Sequence, residues 1–202
     1  MLKNVGNAVE NAVGEVGCVK ARMDTRLMTR IGLLAALSLV FLLVVPRVAL
    51  VPAAPYLQYD MADVPILLAG FLLGVGPGFW VLGLVSLFQG LILGENGLVG
   101  AFMHFCSTGA LLWVSCTLAA HISGNKGKVL GLLAGSIMMM LVMVPLNLLV
   151  TVYIFGQPQE IVVAALLPGI MPFNLLKALI NSAVFFCIYA VNEKFFTGLI
   201  ER

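Results

Sequence analysis

PFNLLKALIN, residues 172–181, sets an amide, an ammonium and a second amide into a segment that is otherwise apolar. At helical spacing Asn174, Lys177 and Asn181 fall on one face. A lysine inside a membrane span costs roughly 2.5 to 3.5 kcal/mol on insertion scales, so it is retained where a polar cavity, a partner or a ligand meets it. The stretch reads as one wall of a binding site in a membrane-embedded helix. No acidic residue lies within an expected span to neutralise Lys177, so its partners are expected to be polar neighbours rather than a salt bridge. Asn181, one turn deeper, reads as a helix-packing amide.

Around this stretch the apolar block of residues 161–189 is broken by Pro168, Gly169 and Pro172. It exceeds the roughly 20 residues a span needs, so a short re-entrant or interfacial piece is expected before the last helix. The whole chain shares this character. Hydrophobic residues are 61% of its 202 positions and charged residues 10%, against about 25% charged in a soluble domain. With a mean hydropathy of +1.09 the class is a polytopic membrane protein. Cys18, Cys106, Cys116 and Cys187 form no CxxC pair and point to neither a disulfide framework nor a metal site. A net charge of +2 without a basic, aromatic-interleaved patch gives no sign of nucleic acid as a partner.

Residues 1–25 read as an N-terminal cytoplasmic extension, or as sequence ahead of a start at Met23, and residues 26–202 as the transmembrane domain. The first span runs over residues 31–45, preceded by Arg22, Arg26 and Arg30 and stopped by Pro46 and Arg47. Gly32, Ala35 and Ala36 give it a small-residue surface that another helix can approach closely. Residues 47–62, with Pro52, Pro55, Tyr56, Tyr59 and Asp60, predict a long ordered loop, suited to closing over an amphipathic ligand or to anchoring at the headgroups. Asp63 reads as the N-cap of a second helix to about residue 74. Gly76, Pro77 and Gly78 suggest a tight turn into a third helix over 79–93, whose Ser86 and Gln89 read as helix-to-helix hydrogen bonds worth about 0.6 kcal/mol each.

The turn at residues 94–97, with Glu95, precedes a fourth helix over 98–121. His104 there either bonds a neighbouring helix or lines a pocket. The fifth helix, over 129–153, is bent by Pro145, and Asn147 either ties up a freed carbonyl or turns into a cavity. Asn192, Glu193 and Lys194 return the chain to water. Lys3, Lys20, Arg22, Arg26, Arg30, Lys126, Lys128, Lys194 and Arg202 gather on one side, against Arg47 on the other and Lys177 within the membrane. The positive-inside rule makes this an all-α membrane protein of about six transmembrane helices, N-in and C-in, with its long loop outside.

Two segments resemble a known family. YLQYDMADVPILLAGFLLGVGPG, residues 56–78, and LLPGIMPFNLLKALINSAVF, residues 166–185, are similar to motifs of the riboflavin-specific S components of energy-coupling factor (ECF) vitamin transporters. Such S components are six-helix membrane proteins that take substrate from outside and deliver it by associating with a transmembrane coupling subunit and two ATPases. The resemblance implies that Asn174, Lys177 and Asn147 contact the isoalloxazine edge. It also implies that Tyr56, Leu57, Gln58 and Tyr59 cap the pocket, and that Gly32, Ala35 and Ala36 dock on the coupling subunit. A lysine–asparagine pair of the family's third helix stands here as Val85 and Ser86, and a fourth-helix asparagine as His104.

The residue chemistry suits a flavin. A flat apolar ring with a carbonyl- and imide-bearing edge matches Lys177 and the amides of Asn174 and Asn147, with Phe173, Tyr56 or Tyr59 to stack on it and Gln58 or His104 for ribityl hydroxyls. No HExxH, GxSxG, P-loop or paired intramembrane aspartates suggests bond breaking. The expected protein is a binder rather than an enzyme, with no cofactor and no metal. An S component for another vitamin or precursor, and an intramembrane enzyme or assembly subunit using Lys177 as base or nucleophile, are the competing readings.

Overall fold

The computed structural model describes residues 24–91, 97–122 and 124–191. The extension expected over residues 1–25 falls, but for Asp24 and Thr25, outside the described residues, as do Glu95 and the exit at Asn192, Glu193 and Lys194. Helix α1, Thr25–Val44, is 20 residues long and ends just before Pro46, which cannot continue it. At 1.5 Å per residue it reaches about 30 Å, the thickness of a hydrocarbon core. It starts six residues earlier than its apolar run, because the polar lead-in from Thr25 is also helical.

The loop that follows is ordered and carries a two-stranded hairpin, β1 (Val48–Ala49) paired antiparallel with β2 (Gln58–Tyr59). Two shorter apolar helices come next, α2 (Asp63–Leu73) and α3 (Val75–Leu91). The turn between them is at Gly74, whose φ of 102° suits glycine, and not at Gly76–Gly78 as the sequence suggested. Pro77 instead lies in the first turn of α3, where its missing N–H costs nothing. A Cβ on Gly78 would stand 3.0 Å from the Cα of Gly70, so the glycines at this crossing let α2 and α3 touch backbone to backbone.

Helices α4 (Gly97–His121) and α5 (Gly124–Leu146) form the most intimate pair. A Cβ on Gly131 would come within 2.4 Å of the Ser115 carbonyl, and one on Gly135 within 2.7 Å of the Leu111 carbonyl. After Pro145 the chain widens into a π-helical turn, Asn147–Thr151. Helix α6 (Gln159–Ala165) passes through a second π turn, Leu166–Ile170, into α7 (Met171–Val191). The short piece expected before the last helix is therefore helical itself. Pro168 and Gly169 are absorbed by the π turn, so residues 159–191 stay continuous instead of re-entering.

Four helical stretches are long and apolar enough to cross a membrane, with α2 and α3 as shorter apolar helices beside them. Burial is distributed as lipid demands. Leu33, Val40, Trp113, Ile137 and Leu167 face outward, while Ser38, Thr108, Ser136 and Asn181 are buried. An apolar side chain gains nothing by leaving lipid, whereas a hydroxyl or amide gains a partner by turning inward. The central packing is aromatic, with Phe185 set 4.7 Å from Phe71 and 5.8 Å from Tyr189 between ring centroids.

Candidate functional site

At the end of the bundle where α4 begins and α5 ends, the start of α7 and the hairpin loop enclose a cavity of about 750 Å³. That volume is in the range of small-molecule sites. The π turn after Pro145 and the π turn before α7 border it, contributing Asn147, Thr151 and Ile170 to its lining. Its lining combines polar side chains, Asn147, Asn174, Lys177, Gln89 and His104, with soft apolar ones, Met103, Met139, Met143, Phe155, Ile170 and Phe173.

Asn174 donates its Nδ2 to the Ile170 carbonyl at 2.8 Å, which leaves its side-chain oxygen for the cavity. Asn147 does both things the sequence allowed. Its Nδ2 donates to the Met143 carbonyl at 2.8 Å, its Oδ1 accepts from Thr151 Oγ1 at 3.3 Å, and the residue still lines the cavity. His104 likewise combines two roles. It lines the cavity while its Nδ1 stands 2.8 Å from Ser86 Oγ and its Nε2 3.1 Å from Asp63 Oδ1. A carboxylate only accepts, so Nε2 carries the proton, and Nδ1 is paired with the Ser86 hydroxyl.

Lys177 is not without a carboxylate, as its sequence surroundings suggested. Its Nζ donates to Asp60 Oδ2 at 2.8 Å and lies 3.7 Å from Asp63 Oδ2. Both acids come from the other end of the sequence, folded back by the hairpin loop. Asp63 is not an N-cap either. Helix α2 begins on Asp63 with Ala62 before it and no side-chain cap, and the fully buried carboxylate accepts from His104, Thr108 and Asn181. A buried charge survives only when paired and hydrogen-bonded, and this cluster meets both conditions.

Asn181 turns out to be more than a packing amide. Its Nδ2 donates to Asp63 Oδ2 at 3.0 Å and to the Asp60 carbonyl at 3.3 Å, and its Oδ1 accepts from the Tyr59 hydroxyl at 2.7 Å. Tyr59 is thereby turned into the bundle and is absent from the cavity lining, which corrects its expected place in the cap. Burial first, then the charges of Asp60 and Asp63, push its hydroxyl up to about 12, so it stays a donor. Tyr56, Leu57 and Gln58 do line the mouth. Gln89, expected to bond a neighbouring helix, faces the cavity instead, whereas Ser86 bonds α4 through His104 as anticipated.

Asp60, Ser107, Thr151 and Gln157 also line the cavity and were not foreseen. Only for Asp60 was there a sequence signal, a carboxylate placed beside Tyr59 in a loop that had to close on something. On α1, Gly32 and Ala36 are exposed while Ala35 is buried in the core, so the small-residue surface lacks Ala35. Among the described residues no group of acidic, histidine and cysteine side chains is arranged to hold a metal ion.

An amphipathic cavity at one end of a helix bundle, with a buried charge cluster beside it, has the size and lining of a small-molecule site in a membrane protein. Residues 26–189 match the family model of the substrate-specific component of ECF transporters, and the chain belongs to that family of transporter subunits rather than to an enzyme class. It is 31% identical over 177 residues to the riboflavin transporter RibU of Streptococcus thermophilus, covering 83% of this chain and 82% of that protein. It is 28% identical to RibU of Staphylococcus aureus, over 83% and 90% of the two chains. A solved S component of a bacterial ECF transporter superposes with a TM-score of 0.71 at 29% identity, covering 84% of this chain and 96% of that one.

Proposed function

We propose that this chain takes up riboflavin from outside a bacterial plasma membrane, holds it in the 750 Å³ cavity, and delivers it inward with a coupling subunit and two ATPases. The observation that carries the reading is the convergence of Lys177, Asn174 and Asn147 on one cavity that methionine and phenylalanine side chains also line, in a chain similar to riboflavin transporters. An isoalloxazine ring packs on the apolar side chains with its polar edge on these three. Tyr56, Leu57 and Gln58 close the mouth, and Phe173 packs on the ring. In this orientation the bundle has six spans with both termini inside.

The departures from the family pattern favour the same ligand over another vitamin. Ser86 and His104 satisfy one another and Asp63, so the exchange leaves no new donor pointing at the ligand. Gly32 and Ala36 on the outer face of α1 form the docking patch for the coupling subunit. The test is purification without added ligand, followed by native mass spectrometry and titration with riboflavin, read by quenching of flavin fluorescence. Retained flavin or submicromolar binding is expected. A preparation that carries no flavin and binds none tightly overturns the proposal.

A further inference from the structure

Asp60 is the one carboxylate among the described residues that line the cavity, and it is held more firmly than any other group there. Its Oδ1 accepts the Ala62 N–H at 3.1 Å, its Oδ2 accepts Lys177 Nζ at 2.8 Å, and its own carbonyl accepts from Asn181. The next carbonyl but one, that of Ala62, accepts the Ser38 hydroxyl of α1. These bonds fix the carboxylate from the loop, α1 and α7 at once. An ionised carboxylate offers about four acceptor positions, and the two protein donors use two of them.

We propose that Asp60 and Lys177 act together as a specificity device that reads an N–H beside a C=O. On the riboflavin reading, on which this rests, that group is the imide of the isoalloxazine pyrimidine edge. Lys177 donates to the carbonyl, Asp60 accepts from the imide N–H, and the 2.8 Å between their atoms sets acceptor and donor side by side as an imide presents them. Asn174, whose oxygen is left for the cavity, lines it as well. An anionic group at this position meets Asp60 with Asp63 behind it and is repelled, so the device selects a neutral heteroaromatic edge over a carboxylate or phosphate. A site built to pair a buried acceptor with a ligand N–H discriminates strongly against the analogue that lacks it, because the acceptor is then left unpaired.

The probe is riboflavin methylated on its imide nitrogen, compared with riboflavin on the full chain in detergent. Native protein should bind the methylated analogue at least about tenfold more weakly. The Asp60→Leu/Lys177→Met double variant removes the pair together, so Asp60 is not left behind without its ammonium, while Asp63 keeps His104, Thr108 and Asn181 as hydrogen-bond donors. It should bind both ligands weakly and about equally. Equal binding of the two ligands by native protein, or discrimination that survives in the double variant, overturns the inference. If riboflavin itself fails to bind native protein, the failure belongs to the functional reading instead. A measurement on native protein decides the matter should the variant not fold. The imide proton of bound nitrogen-labelled riboflavin should resonate downfield and exchange slowly with water, and fast exchange would place it away from Asp60.

Discussion

Helices α1 and α7 are almost equal in length, 20 and 21 residues, and both are strongly apolar, yet they bury different chemistry. α1 turns Ile31, Ala35, Ser38 and Leu42 inward and leaves Gly32, Leu33, Ala36 and Val40 outside. α7 turns Asn174, Lys177, Asn181 and Ser182 inward, between Phe173 and Phe185. In water the polar face of a helix looks out, but in lipid it must look in, and the helix with more polar atoms becomes the one that organises the interior. α7 thereby lines the cavity, while α1 keeps Gly32 and Ala36 on an outer face.

The largest break in this contrast is Lys177→Met. It leaves Asp60 and Asp63 buried without their ammonium, which should cost about 3–5 kcal/mol. Thermal unfolding in detergent should show a large drop in midpoint, together with loss of flavin binding. A variant of native stability would mean that the charge cluster does not hold the loop to α7. Next in size is Asn174→Leu, which removes a cavity acceptor and the donor to the Ile170 carbonyl. Affinity for riboflavin should fall by about 1–3 kcal/mol, as read by fluorescence titration.

Tyr59→Phe is smaller, deleting one hydrogen bond to Asn181 for about 0.5–1.5 kcal/mol. It also sharpens the pH behaviour. The folded-state hydroxyl titrates at about 12, above its ordinary 10.0, so folding favours the protonated form. That contribution is complete below pH 10 and is lost as pH rises toward 12. Native protein should lose stability through this window more steeply than the phenylalanine variant, and parallel pH profiles would contradict the buried placement of Tyr59. The smallest effect on the isolated chain belongs to Gly32→Leu. A Cβ there meets nothing within 4 Å, so stability and flavin binding should be unchanged while co-purification with the coupling subunit weakens. Unchanged co-purification would remove Gly32 from the docking face.

Much of this was legible before any coordinates. Eight expected cavity residues, Asn147, Phe173, Asn174, Lys177, His104, Tyr56, Leu57 and Gln58, do line it. Lys177, Asn174, Asn147 and His104 stood out because a polar side chain in an apolar run is expensive and so informative, whereas Tyr56, Leu57 and Gln58 came from the family resemblance and Phe173 from its ring beside Asn174. Tyr59 failed by the same reasoning that placed Tyr56, since alternation along β2 sends neighbouring side chains to opposite faces and nothing in QY says which is inward. Asp63 was read as a cap because its position before an apolar run is a capping pattern, but burial and three side-chain donors claimed it instead.

The sequence by itself determined the solvent, the apolar helices and the end of the bundle where polar side chains gather. Each of these depends on local quantities, namely the length of an apolar run, a proline or glycine that interrupts it, and the cost of a charge in lipid. The pairing of that charge was decided only by the tertiary structure. Lys177 meets Asp60 across 117 residues of chain, and the contact exists because Gly74, the glycines of α2 and α3 and the two π turns let the loop, α2 and α7 close on one another. No local pattern encodes a distance between segments that far apart. Packing sets it, and with it the difference between a lysine merely tolerated in a membrane and one paired with a carboxylate at the edge of a cavity.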